Sequence, residues 1–193
     1  SMTVFENDLF TQKGEYIEMI LCEHDDIYVR ITDKIVRYFP EQNDYEILYD
    51  HTLYGKMYYL TYAEGILSIM TNDSSIFFRY DETHNTSTNI RLKVTQDNMR
   101  LKAFQITKEQ TLITDVLNLP KDIYTIKNDS LVVFDNLDKY DLPKSFKINN
   151  IKRLSNGDIW YCTNKGIYRQ RDGLHLLPGI NTSNIVIDKE DNL

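Results

Sequence analysis

The chain has 193 residues, enough to bury a real core, and its apolar and charged fractions of 41% and 26% are those of a globular protein, which excludes wholesale disorder. A formal net charge of −7 without a compensating Lys/Arg stripe argues against a nucleic-acid partner. No apolar run approaches the roughly 20 residues that a membrane helix needs; Ile66 to Met70 is among the longest. Fourteen Tyr and eight Phe against a single Trp, with abundant Ile, Val and Thr, favour pleated sheet and predict an all-β chain.

In chain order, the first predicted unit runs from Tyr16 to Tyr38: an apolar strand, a polar turn, then two short strands that alternate. Ile27, Val29 and Ile31 fall on one face of the second strand, with Tyr28 and Arg30 on the other. The same order returns from Met57 to Tyr80, more loosely from Arg100 to Asp135, and sharply from Asn150 to Arg171. In the loose copy the strands read Leu101 to Thr107, Thr111 to Val116, Ile123 to Lys127 and Leu131 to Asp135, with Pro120 in a connecting loop. A further copy begins at Asn184.

The first apolar residues of the second strands are Ile27, Ile66, Leu112, Ile159 and Leu193, at intervals of 39, 46, 47 and 34 residues. Four-stranded propeller blades repeat on that scale, and helical repeats would need a 3.6-residue period that these segments lack. The expectation is one partial β-propeller domain over residues 1–193. Its antiparallel four-stranded blades lie near 16–50, 57–95, 100–137 and 148–180, with the start of another at 184–193. Unpaired sheet edges recruit other strands, so the fragment is expected to self-associate or to close with Val4 to Phe10 as an extra strand.

Asn150 to Arg169 carries the most information. Asn156-Gly157 supplies the positive φ angles of a tight turn, Ile159-Trp160 opens the next strand, and Gly166 begins the following turn. Through Ile151, Gly157, Ile159, Trp160, Thr163, Gly166 and Ile167 this stretch resembles the two-component regulator propeller repeat. Ile185, Asp188, Asp191, Asn192 and Leu193 resemble the start of a second copy. Cys162 stands where that family usually has Gly, Ser155 stands near its usual Asp, and the first three units lack the Trp and the Gly-Thr pair.

The resemblance implies a periplasmic sensor region of a hybrid two-component histidine kinase, responding to oligosaccharides and controlling glycan-utilisation genes. The kinase, receiver and membrane parts are not in this chain, and neither enzymatic activity nor a cofactor is expected. A propeller that acts only as a protein-interaction scaffold is the alternative, and a propeller lyase or glycosidase is the third reading.

Site residues are sparse at this level. The turns between second and third strands offer Asp33, Asn72 and Asn164 to a hydroxylated ligand, although turn chemistry accounts for the same residues. Trp160 fits packing between blades or a stacking platform for a sugar ring, and Tyr54, Tyr58 and Tyr62 are further platforms. The run Glu23-His24-Asp25-Asp26 reads as a solvated turn and no metal is expected, because no second cluster of ligands accompanies it. His24, His51, His84 and His175 share no spacing. Cys22 and Cys162 lie far apart and read as buried hydrophobes.

Overall fold

The computed structural model describes residues 17–23, 26–32, 34–72, 76–93, 99–117, 122–140, 142 and 146–185. They build four antiparallel sheets, each of four strands taken in chain order, which is the architecture of consecutive propeller blades. The expected closing strand Val4 to Phe10, the turn residue Asp33 and the loop residue Pro120 lie outside the described residues.

The chain divides into two compact units, Ser1–Met57 and Tyr58–Leu193. The first contains β1 (Ile17–Glu23), β2 (Asp26–Ile31), β3 (Lys34–Phe39), β4 (Asp44–Asp50) and a single helical turn, α1 (His51–Tyr54). Val29, Ile31, Val36 and Tyr38 form its apolar cluster, with Ile17, Ile27 and Tyr45 packed around them. Ile27, Val29 and Ile31 share one face of β2, as the alternation demands. The Asp50 carboxylate accepts from the Thr52 backbone N–H at 2.8 Å and so starts α1.

The second unit carries three sheets. They comprise β5 (Met57–Ala63) to β8 (Thr86–Arg91) through β6 (Ile66–Thr71) and β7 (Ile76–Asp81), then β9 (Leu101–Gln105), β10 (Thr111–Asp115), β11 (Asp122–Lys127) and β12 (Ser130–Asn136). The last is β13 (Ile148–Arg153), β14 (Ile159–Thr163), β15 (Gly166–Arg169) and β16 (His175–Leu176). Every residue of β6, β10 and β14 is buried, because each second strand is covered on both faces. Met70, Phe77 and Leu92 of the second sheet pack on Leu101, Ala103 and Ile113 of the third. Phe104, Leu112 and Ile123 of the third pack on Ile148, Ile151, Ile159 and Tyr161 of the fourth. Burial on both faces is why these strands read as apolar runs and not as strict alternation.

A hairpin device recurs. Tyr38 donates its hydroxyl to Asn43 Oδ1 at 3.1 Å, and Tyr80 does the same to Asn85 Oδ1 at 2.7 Å. Asn43 and Asn85 sit at φ of 49° and 50°, the left-handed region that asparagine tolerates. In the fourth sheet the residue five places after Tyr168 is Gly173, at φ 71°.

Polar bridges stitch neighbouring sheets of the second unit. Ser68 and Thr111 both donate to the buried Gln105 Oε1, at 2.7 and 2.8 Å, while Gln105 Nε2 donates to Thr107 O at 2.6 Å. Between the third and fourth sheets, Asp135 is buried and accepts from the hydroxyls of Tyr140 (2.9 Å) and Tyr161 (2.7 Å), with Lys139 Nζ at 2.5 Å.

Candidate functional site

The first strands of the three sheets in the second unit, β5, β9 and β13, each pair on one side only and form a row of edge strands. Their sequence decides what that row presents. In β9, Leu101 and Ala103 turn into the core shared with the second sheet, so alternation sends Lys102 and Phe104 to the other face. Lys102 Nζ donates to the backbone oxygen of Asn149 in β13 at 2.6 Å. It lies 4.9 Å from the ring centres of both Tyr59 and Phe104. Arg100, just before β9, holds its guanidinium carbon 4.8 Å from the centre of the Tyr58 ring and donates to the Tyr58 hydroxyl at 3.4 Å. Tyr58 and Tyr59 meet edge to face with centres 4.2 Å apart.

This edge therefore brings together two tyrosine rings, two cations and an amide. Asn149 is fixed from behind, because its Nδ2 donates to Asn181 Oδ1 at 2.9 Å and to Thr182 O at 2.8 Å. Burial lowers the pKa of the Lys102 ammonium. Burial also raises that of the Tyr59 phenol, helped by its hydrogen bond with Tyr58. Cation–aromatic contacts hold Arg100 and Lys102 in place without neutralising them. Among the described residues neither cation is paired with a carboxylate. The Asp115 carboxylate nearby accepts from the backbone N–H groups of Arg100 and Leu117, at 3.2 and 3.0 Å.

A concavity of about 570 Å³ lies between the third and fourth sheets and is lined by Lys139, Tyr140, Tyr168, Arg171, Asp172 and His175. Its charges are satisfied internally: Lys139 reaches Asp135, Arg171 reaches Asp158 at 3.0 Å, and His175 stacks on Tyr168 at 4.0 Å.

The residues singled out by sequence are dispersed. Asn72 follows β6 in an exposed turn. Asn164 occupies the equivalent turn of the fourth sheet, where its Oδ1 accepts from Lys147 N at 2.8 Å and its own N–H donates to Lys147 O at 3.1 Å, a brace for the strand entry. The whole third sheet separates these two turns in chain order. Trp160 is only 4% exposed and packs with Leu154, Cys162, Ile167 and Ile185, with the Arg169 guanidinium 5.4 Å from its ring centre. Its indole N–H is buried with no partner among the described residues. Of the tyrosines, Tyr58 stands in the inner row, Tyr62 donates to Glu82 Oε2 at 2.7 Å, and Tyr54 lies 5.5 Å from Tyr49 in the first unit. Tyr59, Arg100, Lys102 and Asn149 were not singled out by sequence. Alternation within β9 opposite two core residues was the signal available for the cations.

Among the described residues no group of three or more His, Cys, Asp or Glu is arranged to hold a metal ion. No helix is long and apolar enough to cross a membrane.

No protein-family model matches the chain, and no curated protein matches it. Solved structures do. One is the extracellular domain of a protein designated a hybrid two-component system of B. thetaiotaomicron, with a TM-score of 0.60 at 14% identity over 91% of this chain and 25% of that one. Another domain so designated from the same organism gives 0.53 at 13% identity, over 83% of this chain and 23% of that one. The β-propeller domain of Cps50 (Swd1) from Myceliophteria thermophila gives 0.57 at 12% identity, over 92% and 65%. The chain thus spans about a quarter of the length of the two-component domains it is similar to. At these identities the likeness is one of fold, and the fold is that of a β-propeller, here in part.

Proposed function

We propose that this chain is part of a non-catalytic, extracytoplasmic ligand-sensing propeller of a hybrid two-component system, placed in the periplasm and recognising an oligosaccharide. The observation that carries the reading is the inner edge of the second unit. There the partly exposed Tyr58 and Tyr59 lie beside Arg100, Lys102 and Asn149, which add polar groups to the two rings. Sugar rings bind to that kind of surface, with apolar C–H faces on aromatic rings and hydroxyls in hydrogen bonds to amides and charges. The fold likeness to extracellular domains of B. thetaiotaomicron two-component systems and the repeat motif around Trp160 support the same reading.

The test is isothermal titration of the chain against plant and host oligosaccharides, in parallel with Tyr58→Ala and Tyr59→Ala variants that keep the parent melting temperature. Binding that the variants weaken by about tenfold supports the reading. Binding that ignores both substitutions moves the ligand elsewhere, and no binding to any sugar overturns the sensor assignment. Self-association through sheet edges belongs to the same proposal: β12 is an outer edge strand on which Val132 and Val133 are exposed. Sedimentation velocity of Val133→Lys against the parent chain tests it, with a loss of dimer expected.

A further inference from the structure

We propose that the oligosaccharide taken by the inner edge is an acidic one, whose carboxylate or sulfate is held between Arg100 and Lys102. The proposal rests on the reading of that edge as a sugar site and names the chemical class of the ligand.

Four observations point the same way. The two cations lie two residues apart on one side of the chain at β9, and the alternation that buries Leu101 and Ala103 keeps them there. Each sits over a different member of one tyrosine pair, at 4.8 and 4.9 Å, so the charges flank a single aromatic platform. Neither has a carboxylate partner among the described residues, although acidic residues outnumber basic ones by 29 to 22 in the chain. The polar partners that the two cations do have are neutral, the Tyr58 hydroxyl for Arg100 and the Asn149 carbonyl for Lys102.

A half-buried lysine whose one polar partner among the described residues is a carbonyl is an expensive way to stabilise a sheet. Desolvating an ammonium costs free energy that one neutral acceptor does not repay, and an apolar side chain would pack there without that cost. An oxyanion on the ligand supplies the missing acceptor. The ammonium keeps N–H groups beyond the one used on Asn149 O, and the Arg100 fork keeps N–H groups beyond the one aimed at the Tyr58 hydroxyl. The sugar ring to which the anion is attached then rests against Tyr58 and Tyr59. A neutral sugar would find the rings but leave both charges without their match.

The experiment compares three probes on the intact chain by titration calorimetry: an oligogalacturonate, the same oligomer with its carboxylates methyl-esterified, and a sulfated heparin-derived tetrasaccharide. The expected result is binding of at least one acidic oligomer, with the ester weaker than its acid by about tenfold or more if the carboxylate is the group recognised. Affinity for that oligomer should fall as salt is raised. Arg100→Gln and Lys102→Gln should each lose about tenfold, while Arg100→Lys, which keeps the charge, should recover part of the loss. If Lys102→Gln does not fold, Arg100→Gln carries the comparison, since that side chain lies at the strand entry and not in a core.

Neutral oligosaccharides bound as tightly as acidic ones, with no effect of salt, would overturn the acidic-ligand proposal and leave the sugar reading standing. Failure of every sugar, charged or neutral, would overturn both. Inorganic sulfate binding at the affinity of the acidic oligomers would also overturn the proposal, since the rings would then contribute nothing.

Discussion

Replacing Asp135 with asparagine removes the charge on which two tyrosine hydroxyls and a lysine converge between the third and fourth sheets. The carboxylate is 5% exposed, and its Oδ2 accepts from Tyr140 and Tyr161 at 2.9 and 2.7 Å. Each hydrogen bond to a charged acceptor contributes about 1.5 kcal/mol or more, so losing both charge-assisted bonds costs about 3 kcal/mol. Whichever way the asparagine amide turns, its NH2 meets a donor, the two hydroxyls in one orientation or the Lys139 ammonium in the other. Tyr140 keeps an alternative acceptor in Gln170 O at 2.5 Å, whereas the Tyr161 hydroxyl has no second acceptor among the described residues. For a chain of this size 1 kcal/mol corresponds to about 2–4 °C, so the melting temperature should drop by about 6–12 °C in calorimetry. Tyr161→Phe alone should cost roughly half as much, and the double variant should lose less than the sum of the two because both remove one bond. A melting temperature within about 2 °C of the parent, or strict additivity, would refute the assignment of Asp135 as the acceptor that joins the two sheets.

Gly166 sits at φ 124°, and a Cβ there would lie 2.6 Å from Leu176 O and 2.8 Å from Leu177 O. Gly166→Ala should therefore destabilise by upward of about 3 kcal/mol in urea titration. Gly157→Ala, at φ 89° with the tip of Arg153 as its one neighbour at 3.7 Å, should cost about 1 kcal/mol. Burial, and then the hydrogen bonds to Asp135, raise the pKa of Tyr140 and Tyr161 above the ordinary value near 10. Below about pH 10 both folded and unfolded chains hold these protons, and above it the unfolded chain releases them first, so stability should fall as pH rises past 10. Urea midpoints from pH 8 to 11 should trace that fall, and Tyr161→Phe should flatten it. Burial pushes the Cys162 thiol up to about 11, so peptide mapping after iodoacetamide should find Cys162 unmodified in the native chain and alkylated in urea.

Much of the fold is legible in the sequence because the repeat expresses itself through second strands. Ile27, Ile66, Leu112 and Ile159 all begin or nearly begin such a strand, and the four strands of the weak third unit fall within two residues of their read positions. Of the Asn156-Gly157 pair only Gly157 takes a positive φ, so the turn differs from the two-residue hairpin turn that the dipeptide suggests. The candidate site is far less legible. Polarity in a turn drew attention to Asn72 and Asn164, yet the side chain of Asn164 is spent on Lys147. Trp160 stood out as the single Trp, and its ring is enclosed in a core. Nothing in the local sequence sets Lys102 apart. Its importance comes from lying in a first strand between Tyr59 and Asn149, which are 43 residues before it and 47 after it, and no local pattern encodes that proximity.

The tyrosine latch of the outer hairpins has a consequence for how the chain acquires its structure. Tyr38 with Asn43, and Tyr80 with Asn85, close loops of five residues, for which the lost chain entropy is small. The turn is held by a side chain from its own strand, so the hairpin does not wait for a neighbouring sheet to define it. The first two sheets thus each carry a seed that forms within microseconds, and the slower step is the docking of one sheet on the next. A chain assembled in this way can gain or lose whole repeats over evolution without rewriting the instructions inside those that remain.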